Sequence, residues 1–429
     1  VKLKRINKIL LKGGTVIDPA KKQEEVLDIY IEAGKVKFIA AGLKIDGATE
    51  FPVPGKYIAP GFLDLHTHLR EPGREDEETI ASGSYAALRG GFTGILCMPN
   101  TEPPIDNEGV VKYILRRAEE AGFARVFPVA AVTKGRKGEE ISEIGALVSA
   151  GAVALSDDGS PVANSMVMRR ALEYSKMFSI PVIDHCEDRD LSLDGVMNEG
   201  FVSTKLGLRG MPDIAETVIV YRDIFLAQFT GGRVHIAHLS TRGSVEAVRW
   251  AKKQGIAVTA ETCPHYFTLT DEDCQTFDPN FRVNPPLRTK VDVAAIREGL
   301  ADGTIDCIAT DHAPHTLAEK EVEFELAPTG IIGLESAFSL GWSELVCKKI
   351  LSPVGYIKKL TTNPAKVVGL NFGAVEEGEE ANFVIFDPNA TWLFKPETIC
   401  SKSKNSPFVG RELKSRIITV IMEDRVFEF

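Results

Sequence analysis

The chain contains eight histidines among 429 residues, and each lies at or just beyond the end of a short apolar, β-rich run. Histidines used only as filler would also fall on helices and in the terminal segments. His66 and His68 stand two apart in Asp64-Leu65-His66-Thr67-His68-Leu69-Arg70. Residues two apart on a strand share a face, so both imidazoles can meet one metal ion. His185 follows PVID, His238 follows HIA, and Asp311 closes IDCIATD. His235 and His238 are three apart and should face opposite ways on a strand. His238, nearer the strand end, is expected at the site, with His235 in the core or in support. His265 and His312 are expected in supporting roles. Asp157 and Asp158 follow AVALS, where a carboxylate can bridge two metals or cap a turn. Several imidazoles with carboxylates suit Zn²⁺ without any thiolate. Such an ion lowers the pKa of a water to about 7 and polarises a carbonyl. A carboxylate beside it, Asp311, can take the water proton as general base and return it to a leaving nitrogen. The constellation predicts hydrolysis of an amide or ester.

Eight apolar runs must position these groups. They are IAPGFLDLH from Ile58, GFTGILCMP from Gly91, ARVFPVAAV from Ala124, AVALSDD from Ala152, PVIDHCE from Pro181, RVHIAHLS from Arg233, IAVTAETCPH from Ile256 and IDCIATDHAPH from Ile305. Between them lie amphipathic stretches such as GVVKYILRRAEEAG and GSVEAVRWAKKQG. Eight strand–helix units in succession predict an α/β fold, a (β/α)₈ TIM-type barrel over residues 58–371, with its site at the C-terminal ends of the strands. Residues 1–57 and 372–429 read as short alternating strands with Gly-Lys and Glu-Asp turns. They are expected to pair into one small flanking β-domain; two separate hairpins are the alternative.

The formal net charge of −10 argues against binding nucleic acid or an anionic membrane. Seven cysteines, an odd number without a CxxC pair, point to a reducing cytoplasm rather than a disulfide framework. No apolar run is long enough for a signal-peptide core or a membrane span. No GxGxxG follows a strand and no GxxxxGK[ST] occurs, so a nucleotide-binding role finds no support.

DLHTHLREPG (Asp64 to Gly73) and ATDHAPHTLAEK (Ala309 to Lys320) resemble the two signature segments of dihydroorotases in the amidohydrolase superfamily. CMPNTEPP, DHCED, HIAHLST, AETCPHYF and RVNPPLR resemble that family in order and spacing. The likeness covers essentially the whole chain and is greatest to the longer bacterial form. It implies reversible conversion of N-carbamoyl-L-aspartate to L-dihydroorotate in de novo pyrimidine biosynthesis. It also implies that His66, His68 and Asp311 hold one metal, and that His185 and His238 hold a second with Asp158 bridging. His68, Arg70, Asn100, Asn284, His315, Thr329 and Gly330 would contact substrate. Among these, Arg70, Asn100 and His315 would grip its carboxylate. A guanidinium can clasp a carboxylate with two hydrogen bonds; the alternative for Arg70 is a surface ion pair with Glu71 or Glu75.

Two departures stand out. Many superfamily members bridge their metals with a carboxylated lysine, where this chain has VALSDDG and Asp158. One firmly held zinc and a weaker second site are expected. Related enzymes often carry an aromatic residue where Thr329 stands, in a loop expected to act as a mobile lid. The resemblance also suggests a homo-oligomer and a complex with aspartate carbamoyltransferase. The competing readings are a hydantoinase, dihydropyrimidinase or allantoinase, which need no carboxylate clamp, and a catalytically inactive scaffold, which would have lost ligands that are all present here.

Overall fold

The computed structural model describes residues 2–429. The eight runs form parallel strands, Phe62–Thr67, Phe92–Cys97, Arg125–Ala131, Ala154–Ser156, Val182–Asp184, Val234–Ile236, Val258–Thr262 and Cys307–Ile308, paired in chain order. Thr67 bridges to His312, and the His68 N–H donates to the His312 carbonyl at 2.8 Å. These contacts bring the extension of the eighth strand back to the first and close the barrel. Every residue of the first two strands is buried, as expected where helices cover a parallel sheet. The helices start where their caps dictate. The Asn107 side chain accepts from the backbone at the head of Glu108–Ala121, and Thr241 does so for Arg242–Lys253.

Both chain ends build one nine-stranded flanking sheet. Lys2–Arg5 pairs antiparallel with Arg425–Glu428. Its hairpins turn where the sequence punctuates them, at Ala33–Gly34 and at Glu423–Asp424, with positive φ at Ala33, Gly34 and Glu423. An aromatic cluster joins sheet to barrel: Phe338 stands 5.1 Å from Phe62 of the first barrel strand and 4.9 Å from Phe386 of the sheet.

Two details differ from the expected organisation. The run from Ile58 divides at Gly61. Tyr57–Pro60 pairs with Asn382–Leu393 in the flanking sheet, and the barrel begins at Phe62. A Cβ at Gly61 would lie 2.1 Å from Thr93 Oγ1 and 2.2 Å from Asn382 Oδ1, so only glycine passes between the two sheets. The second difference is in the tail. Ser401–Asn405 leaves the flanking sheet and runs to the barrel mouth, where Ser401 bonds Glu78 and Asn405 bonds Ala313. Its polar run SKSKN carries no strand or helix period that would have revealed this. Among the described residues, no helix is long and apolar enough to cross a membrane.

Candidate metal centre and substrate pocket

Asp158, just past the fourth strand, is the meeting point of imidazoles from three other strand ends. Its Oδ1 lies 3.2 Å from His66 Nε2, 3.6 Å from His238 Nε2 and 3.7 Å from His185 Nδ1, and its Oδ2 lies 3.4 Å from His68 Nε2. Asp311 Oδ1 sits 3.1 Å from His68 Nε2 and 3.6 Å from His66 Nε2. His185 Nδ1 and His238 Nε2 are 2.9 Å apart. All six residues expected to hold metal therefore share one buried cluster. The neighbouring Asp157 turns away, accepting from the Thr133 backbone and hydroxyl, so the two adjacent aspartates have separate jobs.

His235 corrects the strand-period argument. It does not face away from His238. Both rings join the same interior network, His235 deeper, 3.3 Å from Glu261. The strand ends at Ile236, and His238 adopts a left-handed backbone (φ 34°), so period two no longer applies. Asp311 (φ 48°) and Arg70 (φ 62°) are turned towards the mouth in the same way.

Three of the four imidazoles are oriented from behind, while His238 Nδ1 is buried without a hydrogen-bond partner. Glu261 Oε1 is 3.0 Å from His66 Nδ1, Asn100 Oδ1 is 2.7 Å from His68 Nδ1, and Glu187 Oε2 is 2.9 Å from His185 Nε2. In each case an oxygen can accept the N–H of one ring nitrogen, so that the neutral ring would turn the other nitrogen's lone pair to the cluster. His312 sits outside the cluster. It accepts from the Gly333 N–H at Nδ1 and faces Glu78 with Nε2, a supporting position as expected. His265 packs on Tyr266 with its ring buried; burial pushes it down to about 4.

The cluster demands positive charge. Burial alone would raise the Asp158 and Asp311 carboxyls, but the imidazoles around them outweigh it and hold both well below the usual carboxylate range. Burial would depress His66, but Asp158, Glu261 and Asp311 outweigh it and push the ring well above the ordinary histidine range. That balance favours a cation among these groups. His66 Nε2 and Asp158 Oδ1 are buried and lack a hydrogen-bond partner, which is rare for buried polar atoms. The ligand atoms of His66, His68 and Asp311 lie within 4.8 Å of one another, as do those of His66, Asp158 and His238. Nitrogen and oxygen donors so disposed fit a divalent ion.

Above the cluster lies a cavity of about 330 Å³, and all seven expected substrate contacts line it: His68, Arg70, Asn100, Asn284, His315, Thr329 and Gly330. Arg70 is not a surface residue paired with Glu71 or Glu75. Its Nε is 2.9 Å from buried Glu77 and 3.1 Å from the Pro314 carbonyl. Glu71 instead accepts from Arg117 and Tyr113. Asn284 donates to Glu187 at 2.9 Å, while its buried Oδ1 has no partner and is free to accept from a ligand. Gly330 (φ 129°) passes so close to Ala313 that a Cβ would approach its Cβ to 2.6 Å.

The loop from Thr316 to Gly330 is tied down at three points. Lys320 Nζ donates to the Pro279 and Pro328 carbonyls, Arg282 reaches the Phe324 carbonyl, and Asn405 donates to the carbonyls of Ala313 and Gly330. Sequence reasoning did not single out Glu77, Glu187, Glu261 or Asn405. The one available signal was Glu261, an acid within the apolar run VTAET.

Comparison with known proteins follows this geometry. The model of the dihydro-orotase-like family matches residues 55–244. A dihydroorotase of Pelotomaculum thermopropionicum is 52% identical over 425 residues, spanning 98% of this chain and 99% of its own. A dihydroorotase of Endomicrobium trichonymphae is 52% identical over 419 residues, spanning 97% and 98%. Among solved structures, L-hydantoinase (dihydropyrimidinase) from Arthrobacter aurescens superposes with a TM-score of 0.87 at 21% identity, over 98% of this chain and 96% of its own. Dihydropyrimidinase from Brevibacillus agri gives 0.84 at 23%, over 97% and 94%. These two share the fold.

Proposed function

The chain belongs to the dihydroorotase family, hydrolases acting on cyclic amides, and we propose that its own reaction is the reversible conversion of N-carbamoyl-L-aspartate to L-dihydroorotate in de novo pyrimidine synthesis. The observation that carries this reading is the clamp of Arg70 and His315, both held by Glu77, beside the cluster of imidazoles and carboxylates. A neutral cyclic amide would have no use for it; a substrate bearing a carboxylate would.

The site is read as holding one zinc firmly through His66, His68 and Asp311, and a second more weakly through His185, His238 and the shared Asp158. Bound there, the metal supplies Lewis acidity, polarising the scissile carbonyl and acidifying a water. Arg70 and His315 fix the substrate by its carboxylate, with Asn100 beside them. Asn284 Oδ1 accepts from a ring N–H. Asp311, ionised throughout the working range, takes the water proton as the C–O bond forms and delivers it to the ring nitrogen as the C–N bond breaks. Ring closure runs the same transfers backwards.

The test is a side-by-side assay of L-dihydroorotate, hydantoin, dihydrouracil and allantoin with metal-replete protein. Turnover of L-dihydroorotate above the other three supports the reading, and preference for a ring without a carboxylate overturns it. Elemental analysis of protein purified without chelator or added metal tests the metal assignment: one retained zinc agrees with it, two tightly retained equivalents contradict it. Thr329 stands where related enzymes often carry an aromatic residue and offers less surface to a bound ring, which favours a complex with aspartate carbamoyltransferase, the enzyme that makes this substrate. Co-elution would support that complex; separate elution at micromolar concentration would refute it.

A further inference from the structure

The strands Asn382–Leu393 and Glu412–Met422 pair as antiparallel neighbours in the flanking sheet, yet the long connection 394–411 joins them. Hairpin strands are ordinarily joined by about 2–5 residues, and much longer connections tend to carry function. The Phe394 N–H donates to the Arg411 carbonyl and the Gly410 N–H to the Phe394 carbonyl, closing this connection at its base. Its tip crosses from the flanking sheet to the barrel mouth. There the Ser403 hydroxyl donates to the Glu77 carbonyl at 2.7 Å, and the Ile332 N–H donates to the Asn405 carbonyl at 2.9 Å.

The Asn405 side chain is buried and joins three backbone positions of the mouth. Its Oδ1 accepts the His315 N–H at 3.1 Å, and its Nδ2 donates to the Ala313 and Gly330 carbonyls, both at 3.1 Å. An N–H can only donate and a carbonyl can only accept, so these three partners fix which way the amide points. Asparagine offers the acceptor and both donors; aspartate lacks the donors.

His315 must change partners to bind a carboxylate. Its Nδ1 faces Glu77 at 2.8 Å and its Nε2 faces the Thr329 carbonyl at 2.9 Å. A carboxylate that takes Nε2 displaces that carbonyl. Gly330, the next residue, does not have to follow. Its N–H donates to the Arg282 carbonyl at 3.0 Å, and its own carbonyl is held by Asn405. The exchange then moves the Thr329 carbonyl between two points that Asn405 keeps in register, the His315 backbone and Gly330.

We propose that Asn405 is a positioning residue for the substrate. It holds the His315 backbone where His315 and Arg70 can share one carboxylate, while the Thr329 carbonyl gives way. This role rests on the carboxylate clamp proposed for Arg70 and His315. It acts on binding rather than on the chemical step, because Asp311 is kept in place by other bonds. On one side of Asp311, the Thr310 N–H and hydroxyl donate to Asp64; on the other, the His312 carbonyl accepts from the His68 N–H.

Steady-state kinetics of the metal-replete full chain test this, with Asn405→Leu and Asn405→Asp run beside Arg70→Gln. Leucine keeps the volume and loses every hydrogen bond; aspartate keeps the shape and the acceptor and loses both donors. Each Asn405 variant should raise KM for L-dihydroorotate about 10-fold or more and leave kcat within about threefold of wild type. Asn405→Ser, which retains one hydroxyl, should show the same split at about threefold or more in KM, and decides the matter even if the larger lesions fold poorly. Hydrogen exchange supplies a reading independent of turnover: the His315 amide should exchange faster in Asn405→Leu, with the amides of Phe92–Cys97 unchanged. An unchanged KM in the Asn405 variants, or a kcat that falls as far as KM rises, would overturn the proposal. A raised KM in Arg70→Gln alone would reject the role of Asn405 and leave the clamp standing. An unchanged KM in Arg70→Gln as well would remove the clamp, and the role of Asn405 with it.

Discussion

Glu77 holds His315 by its Nδ1 at 2.8 Å. The other oxygen of the same buried carboxylate lies 2.9 Å from Arg70 Nε, so one anion aims both halves of the proposed carboxylate clamp. Glu77→Gln leaves a single acceptor for two donors and turns an amide N–H towards one of them. KM for L-dihydroorotate should rise about 10–100-fold, the worth of one or two charge-assisted hydrogen bonds, with a smaller change in kcat. Steady-state kinetics check this; an unchanged KM would show that the clamp does not depend on Glu77.

Glu261 stands behind His66 and His235 and is held down at about 2: burial would raise it, but the hydrogen bonds to His235 and His66 outweigh burial. Removing such an orienting carboxylate frees the ring it steers. Glu261→Ala should lower metal affinity about 10–100-fold, measured by competition with a chromogenic chelator. Glu261→Gln keeps one acceptor for His66 and should lose less.

The strand ends were the legible part of this site. An HxH at one strand end and His185, His238 and Asp311 at others could be read from the apolar runs before them, because strand length and side-chain alternation are local properties. The groups that steer them were not legible. Glu77 is one of several acids in REDEETI, and nothing nearby says that it alone turns inward to meet Arg70. Asn405 lies in a polar tail 90 residues beyond His315, whose N–H it accepts at 3.1 Å. Such contacts arise from the closure of the barrel and from the path of the tail over its mouth, which no local period encodes. His235 shows the reverse failure: the strand period held only as far as Ile236.

Lys320 belongs to the substrate loop and its amine is buried against the Pro279 and Pro328 carbonyls; burial, then the nearby Arg282, push it down to about 7. When the loop opens, the amine regains its ordinary value near 10.5. Between these values the open form binds a proton that the closed form does not, so closure is favoured as pH rises from 7 towards 10 and loses that support as pH falls to 7. Limited proteolysis within residues 316–330 should therefore slow as pH is raised over that window, by up to about tenfold per unit once the protease's own pH profile is divided out. Lys320→Met should abolish the dependence. A dependence unchanged in that variant would assign it to another group.

The central claim is that Asp311 moves the proton between water and the ring nitrogen at a metal-binding cluster. The most direct measurement is kcat for L-dihydroorotate with Asp311→Asn, on protein whose bound metal has been matched to the wild type by elemental analysis. The account predicts a loss of about 100- to 10,000-fold at equal metal content, the range for removing a general base. Activity within a few-fold of wild type would contradict it.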